Sequence, residues 1–146
     1  SGTAVGAGGA AAPQSKVEPV DLSKGADQMN KLPRVVYFDF DKYNIRADQQ
    51  PVVDDVAAKM TAEPTLRVSL DGHCDAIGSE EYNLSLGERR STSVQRALEE
   101  KGVATDRMMT KSYGEERPAA PNTNPDGSDN PEGRALNRRC EIIPIQ

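Results

Sequence analysis

From Arg34 onward, apolar and polar positions alternate. Val36, Phe38 and Phe40 fall on one side of an extended chain, with Val35, Tyr37 and Asp39 on the other. This period of two predicts a first strand over about residues 34–40, covered mainly on one face. The period then lengthens: Val52, Val53, Val56, Ala57 and Met60 recur at helical spacing, with Asp48 as a candidate cap, Pro51 suited to the first turn and Pro64 beyond the end. Leu66, Val68 and Leu70 alternate with Arg67, Ser69 and Asp71 as a second strand. Extending that alternation puts Cys74 on the Leu70 face and His73 with Asp75 on the opposite one. Leu86, Arg90, Val94, Ala97 and Leu98 line up along a second helix that Gly102 can stop. Residues 107–113 read as a third strand ended by Gly114, and residues 137–145 as a fourth. The intervening 118–133, crowded with Pro, Asn, Asp and Gly, reads as a long loop.

Strand, helix, strand, helix, strand, strand predicts an α/β (α+β) sandwich with helices packed on one face of a mixed sheet. Right-handed crossovers link the first strands. Residues 1–33, which open as Ser-Gly-Thr-Ala-Val-Gly-Ala-Gly-Gly-Ala-Ala-Ala, have no sustained period and little to bury. They read as a flexible Ala/Gly-rich tether, with residues 34–146 as the folded domain. As a coil its ends would lie about 30 Å apart, extensible to roughly 110 Å.

Composition narrows the classes. A chain of 146 residues makes one domain plus a tail, and 36% apolar content without Trp makes the core modest and aliphatic. A net charge of -5 and a pI near 4.9 argue against nucleic acid, which demands a basic footprint. No apolar run approaches the roughly 20 residues that span a bilayer. The start has neither a charged n-region nor an h-region, so the expectation is that a targeting segment was already removed or that none existed.

The unusual chemistry is concentrated around Leu70-Asp71-Gly72-His73-Cys74-Asp75-Ala76-Ile77-Gly78 and the helix that follows. Asp75 stands at the carboxyl end of the second strand, where sheets of this kind favour ligands, and Arg90 in the first half of the next helix. The two read as a clamp, anion and cation. Arg89 points about 100° away around the helix and is not equivalent. The duller alternative, Asp75 capping a turn and Arg90 in a surface ion pair, stays open on these residues alone. Asn83 reads as a structural hydrogen-bonder or helix cap, and His73, the single histidine, as structural at the sheet edge. A Cys-His nucleophile pair fails because His73 and Cys74 are strand neighbours facing opposite ways. One His and two Cys do not make a closed zinc site. Asn122, Asn124, Asp126 and Gly127 echo a calcium loop, but Gly133 occupies the position of its bidentate Glu. No metal, no cofactor and no enzymatic activity is expected.

Several ordered motifs together carry a resemblance: Gly72-His73-Cys74-Asp75, Tyr82-Asn83, Leu86-Gly87-Glu88-Arg89-Arg90, Ser112-Tyr113-Gly114-Glu115 with Pro118, and Gly133-Arg134 with Asn137-Arg138-Arg139. Residues 34–146 thereby resemble the OmpA-like C-terminal domain family, and within it most resemble its peptidoglycan-associated lipoprotein branch, which shares the Val-Tyr-Phe-Asp-Phe-Asp type of opening. The resemblance implies a four-stranded sheet ordered 1-4-2-3 with strand four antiparallel. It also implies non-covalent binding of peptidoglycan through the diaminopimelate of the stem peptide, in a Gram-negative periplasm. Carried over by position, Asp75 and Arg90 become the principal contacts, supported by Phe40, Asp41, Leu86 and Arg138. The chemistry fits: an amino-acid end group offers an ammonium to Asp75 and a carboxylate that Arg90 can grip.

Further expectations follow from the resemblance. The tether would join the domain to the outer membrane through a lipid on a residue before residue 1, and Tol-type envelope proteins are a further class of partner. The alternatives are the periplasmic part of a barrel porin or of a flagellar stator protein, and an envelope protein-interaction module. An enzyme acting on cell-wall peptides lacks a convincing nucleophile, base or metal. The family usually has Thr or Ala at position 74 and Val at 140. With strand four beside strand two, Cys74 and Cys140 would approach on one face, so a disulfide is expected, the alternative being two buried reduced thiols.

Overall fold

A computed structural model describes residues 31–145. Most of the expected tether, residues 1–30, lies outside them. The elements run β1 (Arg34–Tyr37), a 3-10 turn (Ala47–Gln49), α1 (Gln50–Ala62), β2 (Arg67–His73), α2 (Glu80–Glu100), a second 3-10 turn (Thr105–Arg107), β3 (Met108–Gly114), α3 (Pro131–Asn137) and β4 (Arg139–Ile145). The sheet order is β1-β4-β2-β3. β4 is antiparallel to both β1 and β2, and β2 is parallel to β3, the mixed 1-4-2-3 arrangement expected from the sequence.

The core lies between one face of the sheet and the two long helices. Val36, Val68, Leu70, Met108, Cys140 and Ile142 meet Val53, Val56, Ala57 and Met60 of α1 and Val94 and Leu98 of α2. Leu32 packs against this cluster as well, so contact with the domain begins just before β1. Every second strand residue and every third or fourth helix residue supplies the core, which is why the two periods were legible in the sequence. Among the described residues, no helix is long and apolar enough to cross a membrane.

Four details differ from the sequence reading. β1 ends at Tyr37, not Phe40: Phe38 is still buried, but Asp41 adopts a positive φ of 57° and the chain turns, leaving Phe40 51% exposed. Asp48 makes no cap hydrogen bond for α1 and instead pairs with Arg46 at 2.7 Å. The segment expected to be loop and strand contains α3, whose first turn is held by the Asn130 side chain accepting from Gly133 N at 3.1 Å, with Pro131 in the first turn. Asn-Pro-Glu at 130–132 is a usable start signal that the surrounding loop residues obscured. Finally, His73 is not at the sheet edge: β4 inserts beside β2, so His73 lies between Arg139 and Gly114 in the interior of the sheet.

α2 approaches the sheet unusually closely. A Cβ on Gly72 would overlap the carbonyl oxygen of Gly87, and one on Gly87 would overlap the Ser112 hydroxyl. Backbone thus rests on backbone at this crossing. This sets the depth at which the next helical turn, carrying Arg90, enters the molecule.

Candidate functional site

Arg90 follows Gly87 by one helical turn and is completely buried. Its Nε donates to the Lys42 carbonyl at 2.8 Å, Nη1 to that of His73 at 2.9 Å and Nη2 to that of Asp39 at 3.1 Å. Three of its five N–H groups therefore tie the middle of α2 to the turn after β1 and to the last residue of β2. Its guanidinium also lies over the Phe38 ring at 5.3 Å. Burial pulls its pKa below the usual guanidinium value, and the charge of Asp75 acts in the opposite sense. The surface ion pair considered from the sequence is not what Arg90 makes.

Asp75 is equally well held. One carboxylate oxygen accepts from Ile77 N at 3.1 Å and the other lies 3.4 Å from Arg138 Nη1 and 3.9 Å from Arg134 Nη1. Arg138 donates its Nε to the Phe38 carbonyl at 3.0 Å, linking the carboxylate to the end of β1. Asn83 is structural and inside α2: its amide donates to the Asp75 carbonyl at 3.3 Å and to Glu115 at 2.8 Å. The helix cap is Ser79, which accepts from Tyr82 N.

These groups surround a cavity of about 180 Å³. Asp75, Cys74, Asn83, Leu86 and Arg90 form its buried part, and the exposed Phe40, Asp41, Ile77, Gly78 and Tyr82 its mouth. The Tyr82 hydroxyl donates to Asp41 across the opening. Of the residues singled out from the sequence, Asp75, Arg90, Phe40, Asp41 and Leu86 line this space, while Arg138 stands behind Asp75. Sequence reasoning missed Ile77, Gly78 and Tyr82 as lining residues and Arg134 as a second cation near Asp75. It could not have seen the carbonyls of Asp39, Lys42 and His73, because backbone acceptors leave no trace in residue identity.

The strand alternation carries Cys74 to the helix side with Leu70 and Gly72, as expected, but does not continue to Asp75, which lines the same cavity as Cys74 instead of joining His73. The pairing of β2 shifts between Gly72 and His73, and Cys74, just past the strand, sends its thiol to the Asn83 carbonyl at 3.1 Å, inside the cavity wall. The expected disulfide is not formed: Cys74 and Cys140 are both free and buried. The register explains this, since Gly72 rather than Cys74 stands opposite Cys140. Cys74 is two residues further along, at the diagonal separation of roughly 7–8 Å, beyond the reach of paired sulfurs. Burial pushes the Cys74 thiol up to about 11 and raises that of Cys140 still more.

His73 presents the opposite face of β2. Its ring stacks on Tyr113 with centroids 5.4 Å apart, and neither ring nitrogen has a hydrogen-bond partner. Glu141 comes no nearer than 3.7 Å. Burial, followed by the charge of Arg139, lowers its pKa to about 4. Among the described residues no group of three or more His, Cys, Asp or Glu could hold a metal ion.

The sequence pattern of the OmpA family matches residues 37–131, more than half of the chain. The chain belongs to the OmpA family. Among curated relatives, the peptidoglycan-associated lipoprotein of Pasteurella multocida is 45% identical over 84 residues, covering 58% of this chain and 56% of that protein. The photosystem I P700 chlorophyll a apoprotein A2 of Gloeobacter violaceus is 42% identical over 112 residues, 77% of this chain but 13% of that protein. The chain spans about half the length of the lipoprotein relatives it matches and a small part of the photosystem protein. Among solved structures, the crystal structure of the peptidoglycan-associated lipoprotein from Burkholderia pseudomallei superposes with a TM-score of 0.69 at 33% identity, covering 77% of this chain and 90% of that one. The C-terminal domain of Helicobacter pylori MotB gives a TM-score of 0.65 at 21% identity, over 80% of this chain and 85% of that one, a likeness of fold.

Proposed function

We propose that this OmpA-family domain binds peptidoglycan non-covalently by taking up the diaminopimelate of the stem peptide, and that it serves as a non-enzymatic anchor between outer membrane and cell wall in a Gram-negative periplasm. The observation that carries the reading is the small cavity in which a carboxylate, Asp75, and a guanidinium, Arg90, share one wall beneath an apolar and acidic mouth. An amino-acid end group is a zwitterion of that size and polarity. Its ammonium would lie against Asp75 and Asp41, and its carboxylate would take N–H groups of Arg90 not given to backbone carbonyls. Leu86 and Phe40 would cover its methylenes, and Arg138 would hold Asp75 in place. The lipoprotein relatives at 42–45% identity support the same reading.

Binding to the wall explains why the lining contains no activated nucleophile: the Cys74 thiol lies far above neutrality in pKa and the single histidine is on the other face of the sheet. The test is co-sedimentation with purified sacculi. Asp75→Asn keeps the side-chain shape and an acceptor for Ile77 N, so the protein should remain folded by thermal melting yet stay in the supernatant. A folded Asp75→Asn protein that pellets like the unaltered one would sink the assignment. A Tol-type envelope protein using the same mouth would be revealed by competition with a soluble cell-wall fragment.

A further inference from the structure

The cavity does not end at its mouth. Asp41, Tyr82 and Leu86 also border a second hollow of about 140 Å³, which adds Tyr43, Ser85 and Arg89. Tyr43 and Arg89 in turn border a third, of about 240 Å³, that reaches Thr92, Ser93 and Arg96. The shared residues make one continuous groove that runs from Asp75 along the exposed side of α2. Its character changes on the way: the first hollow contains Asp75 and Asp41 with the buried Arg90, the second Asp41 with Arg89, and the third Arg89 and Arg96 with one acid, Glu88.

Arg89 is the distinctive member. It is exposed, stacks over the Tyr43 ring at 5.5 Å, and has no carboxylate within ion-pair distance among the described residues. Other arginines around the site, Arg46, Arg134 and Arg138, each have an acidic partner. Stacking fixes the plane of a guanidinium while leaving its N–H edge for a planar anion. In a chain of net charge -5, the far hollow, with two arginines to one acid, is a local exception to the overall field.

We propose that this groove is a second binding subsite, in which Arg89, steadied by Tyr43, grips the free carboxylate of the acidic residue next to diaminopimelate in the stem peptide. The inference rests on the proposed function, because it takes its occupant to be the continuation of the chain whose end group fills the first cavity. Asp41, engaged by the Tyr82 hydroxyl, marks the boundary between the side that attracts an ammonium and the side that attracts an anion. The domain thereby reads two residues of the wall peptide, a cationic end and an anionic neighbour, instead of one.

The experiment is calorimetric titration of the whole chain with three probes: free meso-diaminopimelate, the tripeptide of alanine, γ-linked glutamate and diaminopimelate, and the same tripeptide with its glutamate carboxylate amidated. The unaltered protein should bind the free-acid tripeptide about fivefold more tightly than the amidated one, the scale of one exposed charge-assisted pair. Arg89→Ala should erase that difference and leave the affinity for free diaminopimelate unchanged. Equal binding of the two tripeptides, or a difference that survives in Arg89→Ala, overturns the subsite while the first cavity stands. Failure of all three probes to bind the unaltered protein overturns both proposals. Loss of the tripeptide preference in Arg89→Ala but not in Arg89→Lys would support a charge contact.

Discussion

Replacing Arg90 by Met tests whether this side chain is structural as well as polar lining. Met keeps most of the stem and its packing on Phe38 but removes the guanidinium that three carbonyls share. Hydrogen bonds from a charged donor contribute about 1.5–3 kcal/mol each, and an acceptor stranded in the interior costs about 1–3 kcal/mol. The His73 bond is buried, whereas those to Lys42 and Asp39 are part-buried, so these two carbonyls can turn to water. That gives a gross loss of about 4 kcal/mol. Relief from holding a charge out of water offsets part of it, leaving a net destabilisation of about 2–3 kcal/mol. For a domain of this size the shift corresponds to a melting temperature lower by about 10 °C. Circular dichroism melting with a parallel urea titration measures it, and unchanged m-values would show that both states keep their compactness. A midpoint within about 2 °C of the unaltered protein would refute the three-carbonyl argument and restore the view of Arg90 as a side chain free for ligand.

Gly72→Ala should be more damaging, by about 3 kcal/mol or more in urea unfolding, because the added methyl meets backbone of Gly87 that cannot swing away; a change below about 1 kcal/mol would mean the helix can lift without cost. The pKa of His73, lowered to about 4 in the fold against 6.5 in the unfolded chain, makes protonation favour unfolding. Stability from this group should be complete above about pH 6.5 and lost, by about 3 kcal/mol in all, as pH falls towards 4. His73→Gln should remove that part of the pH dependence, and parallel stability-pH curves for the two proteins would contradict the assignment. Thiol titration should find two free cysteines in denaturant and slow alkylation of both in the native state; a single fast-reacting thiol would contradict their burial.

The fold was legible wherever a period governed burial. Val36, Val68, Leu70, Val94 and Leu98 are in the core because each lies on the face that the alternation or the helical repeat selected. Legibility failed where the backbone left its period. Phe40 continues the parity of β1, but the chain turns there, with Asp41 left-handed, and leaves it in solvent; past the shifted pairing after Gly72, Asp75 leaves the His73 face for the same wall as Cys74. The cysteine pairing had the right face and the wrong register by two residues, a distance that parity cannot measure. Five residues that line the cavity, Asp75, Arg90, Phe40, Asp41 and Leu86, could be named from motif and charge, but not what engages them. Arg90 gives N–H groups to carbonyls, Asp75 is already attended by Arg138 and Arg134, and short α3 and the residue that caps it present those two arginines from a segment that its Pro, Asn and Gly content makes look irregular.

The clasp around Arg90 joins three pieces of chain that are far apart in sequence, from Asp39 through His73 to α2. The cavity therefore exists only after these pieces have assembled, and it vanishes in any partial opening that separates the helix from the strand ends. A molecule seated there binds the closed arrangement alone, and each tenfold excess over its dissociation constant adds about 1.4 kcal/mol against opening. For a domain held at one end and loaded at the cavity, occupancy and mechanical integrity rise together: the fastening is hardest to pull apart when it is fastened.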